Sequence, residues 1–263
     1  MTQTLQAPTL HTPSFRLDGK RALITGGSRG IGLAAAFALG QAGAQVVLAA
    51  RDEAGLAQAR TTLCEHGLMS SAVEIVVLDV TDASAVEQTV AALGPCQVLV
   101  NNAGGNRGGL LKDKTAQDIE AVLRLNVTSS MVVSQAVIAG LVAADQTGSI
   151  INLSSQYGHI GSPERTLYSA AKHAVEGYTK SLAWEVGPMG IRVNTVAPSM
   201  IETDMTRERL NQPGVREAFA QKSALARIGQ PQDLAGAIVF LASDASAYVT
   251  GSCIHVDGGT TAV

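Results

Sequence analysis

The chain has 263 residues, enough for one large α/β domain or two small ones, and 46% of them are hydrophobic, enough for a sizeable core. Aromatics make up 3%, so the core must be aliphatic, and a charged fraction of 16% lies below the usual quarter, which points to surface hidden between copies of the chain. The net charge of -3 gives no electrostatic case for nucleic acid or an anionic membrane as a partner.

Residues 1–15 carry no positively charged region ahead of an apolar core, so they do not read as a secretory signal. They are expected to be a flexible extension before a single domain spanning 16–263. The run 21–25 is apolar and stops at glycines, which predicts a buried strand. A glycine-rich turn and an alanine-rich helix over 33–41 follow. The pattern then predicts a strand at 45–50, a helix at 53–64, a strand at 73–78 and a helix at 83–92. A strand at 97–101 precedes a long helical stretch over 115–142. Next come a strand at 149–153, a long helix at 165–186 and a strand at 191–196. A polar segment, a helix at 232–242 and a short strand at 253–256 close the chain. Strands that are continuous apolar runs, alternating with helices, imply a parallel sheet covered on both faces. The expected architecture is a single doubly wound α/β domain with seven strands.

Cys64, Cys96 and Cys253 are odd in number and far apart. They read as reduced thiols of a cytoplasmic protein, not as a disulfide framework or a zinc site. No metal is expected. No stretch reads as apolar enough over sufficient length to cross a bilayer, so no membrane is expected either.

The chemistry-bearing stretch is 155–172, SQYGHIGSPERTLYSAAK. Tyr168 and Lys172 are four apart, so on one helix they share a face. An ammonium beside a phenol favours the phenolate, so Lys172 is expected to lower the Tyr168 pKa and make it a general acid near neutral pH. Ser155, at the end of a strand, offers a hydroxyl for a reacting oxygen. The twelve-residue interval between Ser155 and Tyr168 is expected to form one wall of the substrate pocket, with the segment after Gly104 and residues 200–220. His159 within it reads as surface loop. His173 and His255 read as structural, and Trp184 as packing.

The turn after the first strand, Thr25-Gly26-Gly27-Ser28-Arg29-Gly30-Ile31-Gly32, opens a helix. Glycines there permit a tight turn and let a pyrophosphate approach backbone N–H groups at the helix N-terminus. The spacing is G-x-x-x-G-x-G. Where an acidic residue would hold the ribose of NAD at the end of the second strand, this chain has Ala50 and then Arg51. A guanidinium can fork onto a 2′-phosphate, and Arg29 offers a second cation. NADP(H) is therefore favoured over NAD(H).

TGGSRGIG, the segment Leu99-Val100-Asn101-Asn102-Ala103-Gly104, Ser155 and YSAAK at 168–172 occur in order and at matching separations. Together they resemble the short-chain dehydrogenase/reductase family, in its 3-oxoacyl-carrier-protein-reductase-like branch. The resemblance covers about 16–263. It implies a Rossmann fold and a hydride exchanged between nicotinamide and a carbonyl or secondary alcohol. It also implies a homotetramer or homodimer. By the same resemblance Tyr168 is the acid/base, Lys172 tunes it and holds the nicotinamide ribose, and Ser155 binds the substrate oxygen. Asn126 supports a proton-relaying water. Gly26, Ser28, Arg29, Gly30, Ile31 and Gly32 cradle phosphates, with Arg51 on the 2′-phosphate. Asp79 and Val80 meet the adenine, Asn102, Ala103 and Gly104 form the supporting turn, and Pro198, Ile201 and Thr203 hold the carboxamide and phosphates. Ser199 departs from the glycine common in the family after Pro198; a serine costs some backbone freedom, which leaves the loop's detailed path open but not the chemistry. Surplus apolar residues on two helices (Ile119, Val122, Leu123 and Val127; Ala170, Ala171, Ala174 and Val175) are a second pointer to an oligomer.

Overall fold

The structure, a computed structural model, describes residues 12–262. The strands are β1 (Arg21–Thr25), β2 (Gln45–Ala50), β3 (Val73–Val77), β4 (Val98–Asn101), β5 (Gly148–Leu153), β6 (Ile191–Pro198) and β7 (Cys253–Val256). They form one seven-stranded sheet in the order β3-β2-β1-β4-β5-β6-β7, parallel at every pairing. The order reverses between β1 and β4. A crevice opens there, outside the carboxyl ends of the strands, where ligands of doubly wound folds bind.

Helices cover both faces. α1 (Gly30–Gln41), α2 (Glu53–Glu65) and α9 (Ala235–Ala242) close one side. Their residues Ala35, Leu39, Leu56 and Ile238, with Leu234 just before α9, pack with Ile24, Val46, Leu48, Val100 and Ile151 of the sheet. α3 (Ala83–Leu93), α5 (Ser129–Ala143) and α6 (Thr166–Val186) close the other. There Val86, Val133, Val137 and Ala183 pack with Leu23, Val47, Leu99, Ile150 and Val193. Neighbouring strand residues such as Leu23 and Ile24 thus serve opposite cores, as the two-residue period of a strand requires. At roughly 25 cal/mol per Å² of apolar surface, these two layers carry most of the folding free energy.

The long helix expected over 115–142 is divided. α4 (Ala116–Leu123) gives way to a π-helical turn, Arg124–Thr128, before α5. The capping box of Thr115 with Asp118 starts α4. The later break has a hydrogen-bonding cause. Asn126 Nδ2 donates to the Gly105 and Val122 carbonyls, and the hydroxyls of Ser129 and Ser130 bond back to Leu125, Asn126 and Val127. Such side-chain bonds compete with the helical ladder. Contrary to expectation, the continuous stretch Ala116–Ala143 is apolar and long enough, by length and hydropathy alone, to cross a membrane. In this fold its Val133, Val137 and Leu141 lie against the sheet.

The polar segment after β6 contains two helices that were not expected, α7 (Asp204–Leu210) and α8 (Val215–Gln221). At seven residues each they are too short to show a period, and α7 starts from a Thr203–Thr206 cap. Of the expected extension, residues 1–11 lie outside the described part. Ser14 and Phe15 are docked: the Ser14 carbonyl accepts from the Ala245 N–H at 3.1 Å, and the Phe15 ring lies 6.3 Å from that of Phe240. Part of the apolar surplus is also used within the chain, since Val122 of α4 packs on Leu167 and Ala171 of α6, with Ile119 and Val127 beside them. Two side chains read as packed are on the surface. Trp184 is 87% exposed, on the outward side of a turn of α6 whose Ala183 and Val186 face the sheet, and His255 is exposed on the edge strand β7.

Candidate active site

A cleft of about 830 Å³ lies over the switch point, and every residue singled out above for catalysis or cofactor binding lines it except Gly32 and Asn126. The glycine turn forms one end. Gly26 and Gly30 have φ of +64° and +57°, a left-handed conformation that glycine adopts without strain. α1 begins here with no side-chain cap and no acidic residue in its first turn. Its free N–H groups and positive dipole end therefore face the cleft, an arrangement suited to phosphate. Gly32 sits one layer down. A Cβ on it would collide with the Gly26 carbonyl and lie 2.6 Å from Asn102 Nδ2. Gly32→Ala is therefore expected to lower stability by about 1–3 kcal/mol, read by urea unfolding, and to weaken cofactor binding through the displaced turn.

Asn102 braces that turn, donating from Nδ2 to the carbonyls of Thr25 at 2.9 Å and Gly26 at 3.0 Å. Thr25, not singled out in the sequence, closes the brace. Its Oγ1 accepts from the backbone N–H of both Asn102 and Ala103 at 3.1 Å. A threonine ending a strand carries no signal of that role until β4 is placed beside β1.

Ala50, Arg51, Asp79 and Val80 line the far end of the cleft. Asp79 accepts from the Thr81 N–H and hydroxyl at 2.9 and 2.8 Å, and these bonds hold its carboxyl below the usual range, with Arg51 and Arg124 adding to the effect. Asp79 is thus an anion fixed by its own turn.

At the other end, α6 brings Tyr168 and Lys172 to one face, opposite Ser155 at the end of β5. Lys172 is buried, donates from Nζ to the Leu153 carbonyl at 2.7 Å, and lies 5.5 Å from the Tyr168 ring centre. The expected lowering of the phenol pKa is not what this arrangement gives. Burial pushes Tyr168 up to about 12, against a smaller opposite effect from its hydrogen bond with Ser155. Burial likewise pushes Lys172 down to about 8, with Glu176 partly restoring its charge. Desolvation outweighs the mutual effect of the pair because the ammonium is turned to the Leu153 carbonyl. At neutral pH Tyr168 is a protonated donor.

Asn126 lies behind the cleft in the π turn, with Oδ1 accepting from the Gly105 N–H at 3.2 Å. A Cβ at Gly104 would lie 2.8 Å from that Oδ1 and 3.8 Å from Lys172 Nζ, so only glycine lets this loop pass between them. The interval 156–167 differs from expectation: its two flanking residues, Ser155 and Tyr168, line the cleft, and the interval itself does not. Gln156 is buried, and Tyr157 stacks edge-on to Tyr168 with ring centres 6.3 Å apart. The interval therefore buttresses the pocket from behind. Ser154 and Leu125 also line the cleft and were not picked out in the sequence, whereas Asn106 comes from the segment after Gly104 and Met205 and Thr206 from 200–220, both expected there. Ser199 donates to the Asp257 carbonyl at 3.0 Å, a bond glycine would lack, and this ties the departing loop to the C-terminal segment.

The family model described as enoyl-(acyl carrier protein) reductase matches residues 26–261. The 3-oxoacyl-[acyl-carrier-protein] reductase FabG of Vibrio harveyi is 41% identical over 249 residues, covering 93% of this chain and 98% of its own. Gluconate 5-dehydrogenase of Gluconobacter oxydans (strain 621H) is 37% identical over 255 residues, covering 95% and 98%. The crystal structure of a gluconate 5-dehydrogenase from Burkholderia cenocepacia J2315 in complex with NADP and tartrate superposes with a TM-score of 0.89 at 35% identity, covering 96% of this chain and 99% of that one. With the parallel sheet, the glycine turn at its switch point and the Ser155, Tyr168 and Lys172 wall, these likenesses establish that the chain belongs to the short-chain dehydrogenase/reductase family of oxidoreductases.

Proposed function

We propose that the chain is a cytoplasmic, NADP(H)-dependent reductase of a ketone whose reverse reaction oxidises a secondary alcohol. One observation carries this reading: Ser155, Tyr168 and Lys172 meet at one end of a cleft whose other end is an uncapped helix N-terminus beside Arg29 and Arg51. The nicotinamide supplies the hydride when bound. The chain's residues manage one proton and one oxygen. Ser155 and Tyr168 donate hydrogen bonds to the carbonyl oxygen, and Tyr168 releases its phenolic proton to it as the oxyanion develops. Lys172 would hold the nicotinamide ribose hydroxyls, and Asn126 would support a water route to Lys172. The turn residues Gly26, Ser28, Arg29, Gly30, Ile31 and Gly32 hold the phosphates. Asp79 and Val80 meet the adenine. Asn102, Ala103, Gly104, Pro198, Ile201 and Thr203 fix the nicotinamide end.

The test is NADPH oxidation with a panel of 3-oxoacyl thioesters, keto sugar acids and steroid ketones. Turnover of none of them would reject the reading. The NADP preference rests on Arg51 at the end of β2, and NADP in the Burkholderia relative supports it. Arg51→Asp is expected to raise the KM for NADPH by about 10- to 100-fold, the worth of a charge-assisted bond pair, while leaving that for NADH nearly unchanged. Equal effects on both cofactors would remove Arg51 from the 2′-phosphate.

The assembly proposed is a homotetramer. Met131 and Val142 on α5 and Trp184 on α6 are 48%, 50% and 87% exposed. Ala170, Ala174 and Gly177 add a stripe of small exposed residues on α6. Light scattering at working concentration is expected to give four chain masses, and a monomer mass would refute it.

A further inference from the structure

Outside the cleft, at the β7 edge of the sheet, the turn after β5 brings His159 to Cys253 and His255. The three potential ligand atoms lie within 4.8 Å of one another. His159 Nε2 and Cys253 Sγ lie 3.4 Å apart, and the two imidazoles 4.4 Å apart at their centres. Cys253 and His255 are two apart on a strand, so their side chains leave the same face. A carboxylate stands next to them. Glu176 of α6 is buried, its Oε1 lies 3.1 Å from His159 Nε2, and its Oε2 accepts from the Thr195 hydroxyl at 3.0 Å.

A thiol nucleophile activated by histidine needs the acid on the far nitrogen of the ring. Here thiol and carboxylate meet the same nitrogen, and burial pushes the Cys253 thiol up to about 12, the opposite of activation. The donor set suits a metal. One thiolate and two imidazoles are the ligands of a borderline-soft divalent ion, with a neighbouring carboxylate offsetting its charge. Bond lengths of 2.0–2.3 Å put tetrahedral ligand atoms about 3.3–3.7 Å apart. His159 and Cys253 already have that spacing, and His255, within 4.8 Å of both, needs to approach by about an ångström at most, within the reach of a rotamer change on an exposed strand. A coordinated thiol loses its proton to solvent, so the ion reverses the bias that burial imposes. His159 and His255 are both exposed, which gives the ion a direct path from solvent.

We infer that His159, Cys253 and His255 form a binding site for a zinc-class divalent ion, separate from the cofactor cleft, with Glu176 beside it as counter-charge. The bonds formed are one Zn–S and two Zn–N, with one proton released from the thiol and water completing the coordination. Occupancy ties the turn that buttresses Ser155 and Tyr168 to the last strand.

The experiment uses the full chain stripped with chelator, then equilibrated with zinc alone and desalted. About one zinc per chain is expected to remain. Cobalt in its place is expected to show a thiolate charge-transfer band that Cys253→Ser abolishes, leaving Cys64 and Cys96 unable to supply it. His255→Gln, at an exposed position, is expected to weaken zinc binding by about 100-fold or more with an unchanged melting curve. Fewer than about one zinc per ten chains, a cobalt spectrum lacking the thiolate band, or equal zinc retention by wild type and His255→Gln would each overturn the site.

Discussion

Tyr168→Phe is expected to lower kcat for ketone reduction by about 10²- to 10⁴-fold, the usual worth of a positioned proton donor. The substitution isolates the hydroxyl. The ring keeps its edge-on contact with Tyr157 at 6.3 Å and its place beneath the Lys172 ammonium at 5.5 Å, so the wall of the cleft is preserved. NADPH affinity, measured by fluorescence titration, is expected to change by less than about threefold, because the loss falls on the transition state and not on ground-state binding. Nearly full activity in the variant would reject Tyr168 as the donor. The pH dependence carries a sign. With the phenol pushed up to about 12, Tyr168 remains protonated through pH 6–9, so reduction in wild type is expected to show no loss from its titration in that range. Alcohol oxidation needs the phenolate as base, and its rate is expected to climb with pH across the same window. A reduction rate that falls with an apparent pKa near 7, and a variant that lacks that fall, would show instead that the bound state lowers the phenol.

The parts of the fold that sequence reveals best are those marked by a change of chemistry at both ends. β1 and β2 begin and end where expected because each apolar run is bounded by turn residues, and Gly26 to Gly32 announce the site by lying between β1 and α1. Tyr168 and Lys172 were legible because spacing alone puts a phenol and an ammonium on one helical face, and Ser155 because it ends a strand and matches the family serine. Their protonation behaviour was not. It depends on how deeply α6 is buried and on where Lys172 points, and the Leu153 carbonyl that captures its ammonium lies on another element. Asn126 illustrates the same limit. Its position in a helical run was readable, but the π turn around it arises from bonds to Gly105, twenty-one residues away. The cluster at the β7 edge was the least accessible to sequence. His159 and Cys253 are separated by 94 positions, and a count of three scattered cysteines gave no reason to join one of them to two histidines.

Lys172→Met is expected to abolish most activity and yet leave the protein as stable as wild type, or more so, at pH 7. Lys172 is buried and makes no ion pair within 4 Å among the described residues; its ammonium is held by the Leu153 carbonyl, and the charge of Glu176 offsets only part of the cost of burial. The gap between about 8 in the folded chain and the ordinary 10.5 corresponds to about 3 kcal/mol lost by keeping that charge inside. Methionine fills similar volume without charge, and leaves the Leu153 carbonyl unpaired at a cost of about 1–3 kcal/mol. The balance is a gain of about 0–2 kcal/mol, set by those two opposing effects. The sign with pH follows from proton linkage. Between about 8 and 10.5 the unfolded chain binds the lysine proton and the folded chain does not, so wild-type stability rises with pH through that window. Below about 8 both states hold the proton and the full cost is present. The advantage of Lys172→Met is therefore largest at pH 7 and shrinks toward pH 9.5. Urea unfolding of both proteins at these two pH values measures it. A variant markedly less stable than wild type at pH 7, with a gap that does not change with pH, would mean that Lys172 is held there by favourable contacts. Its charge would then be no stability cost retained for catalysis.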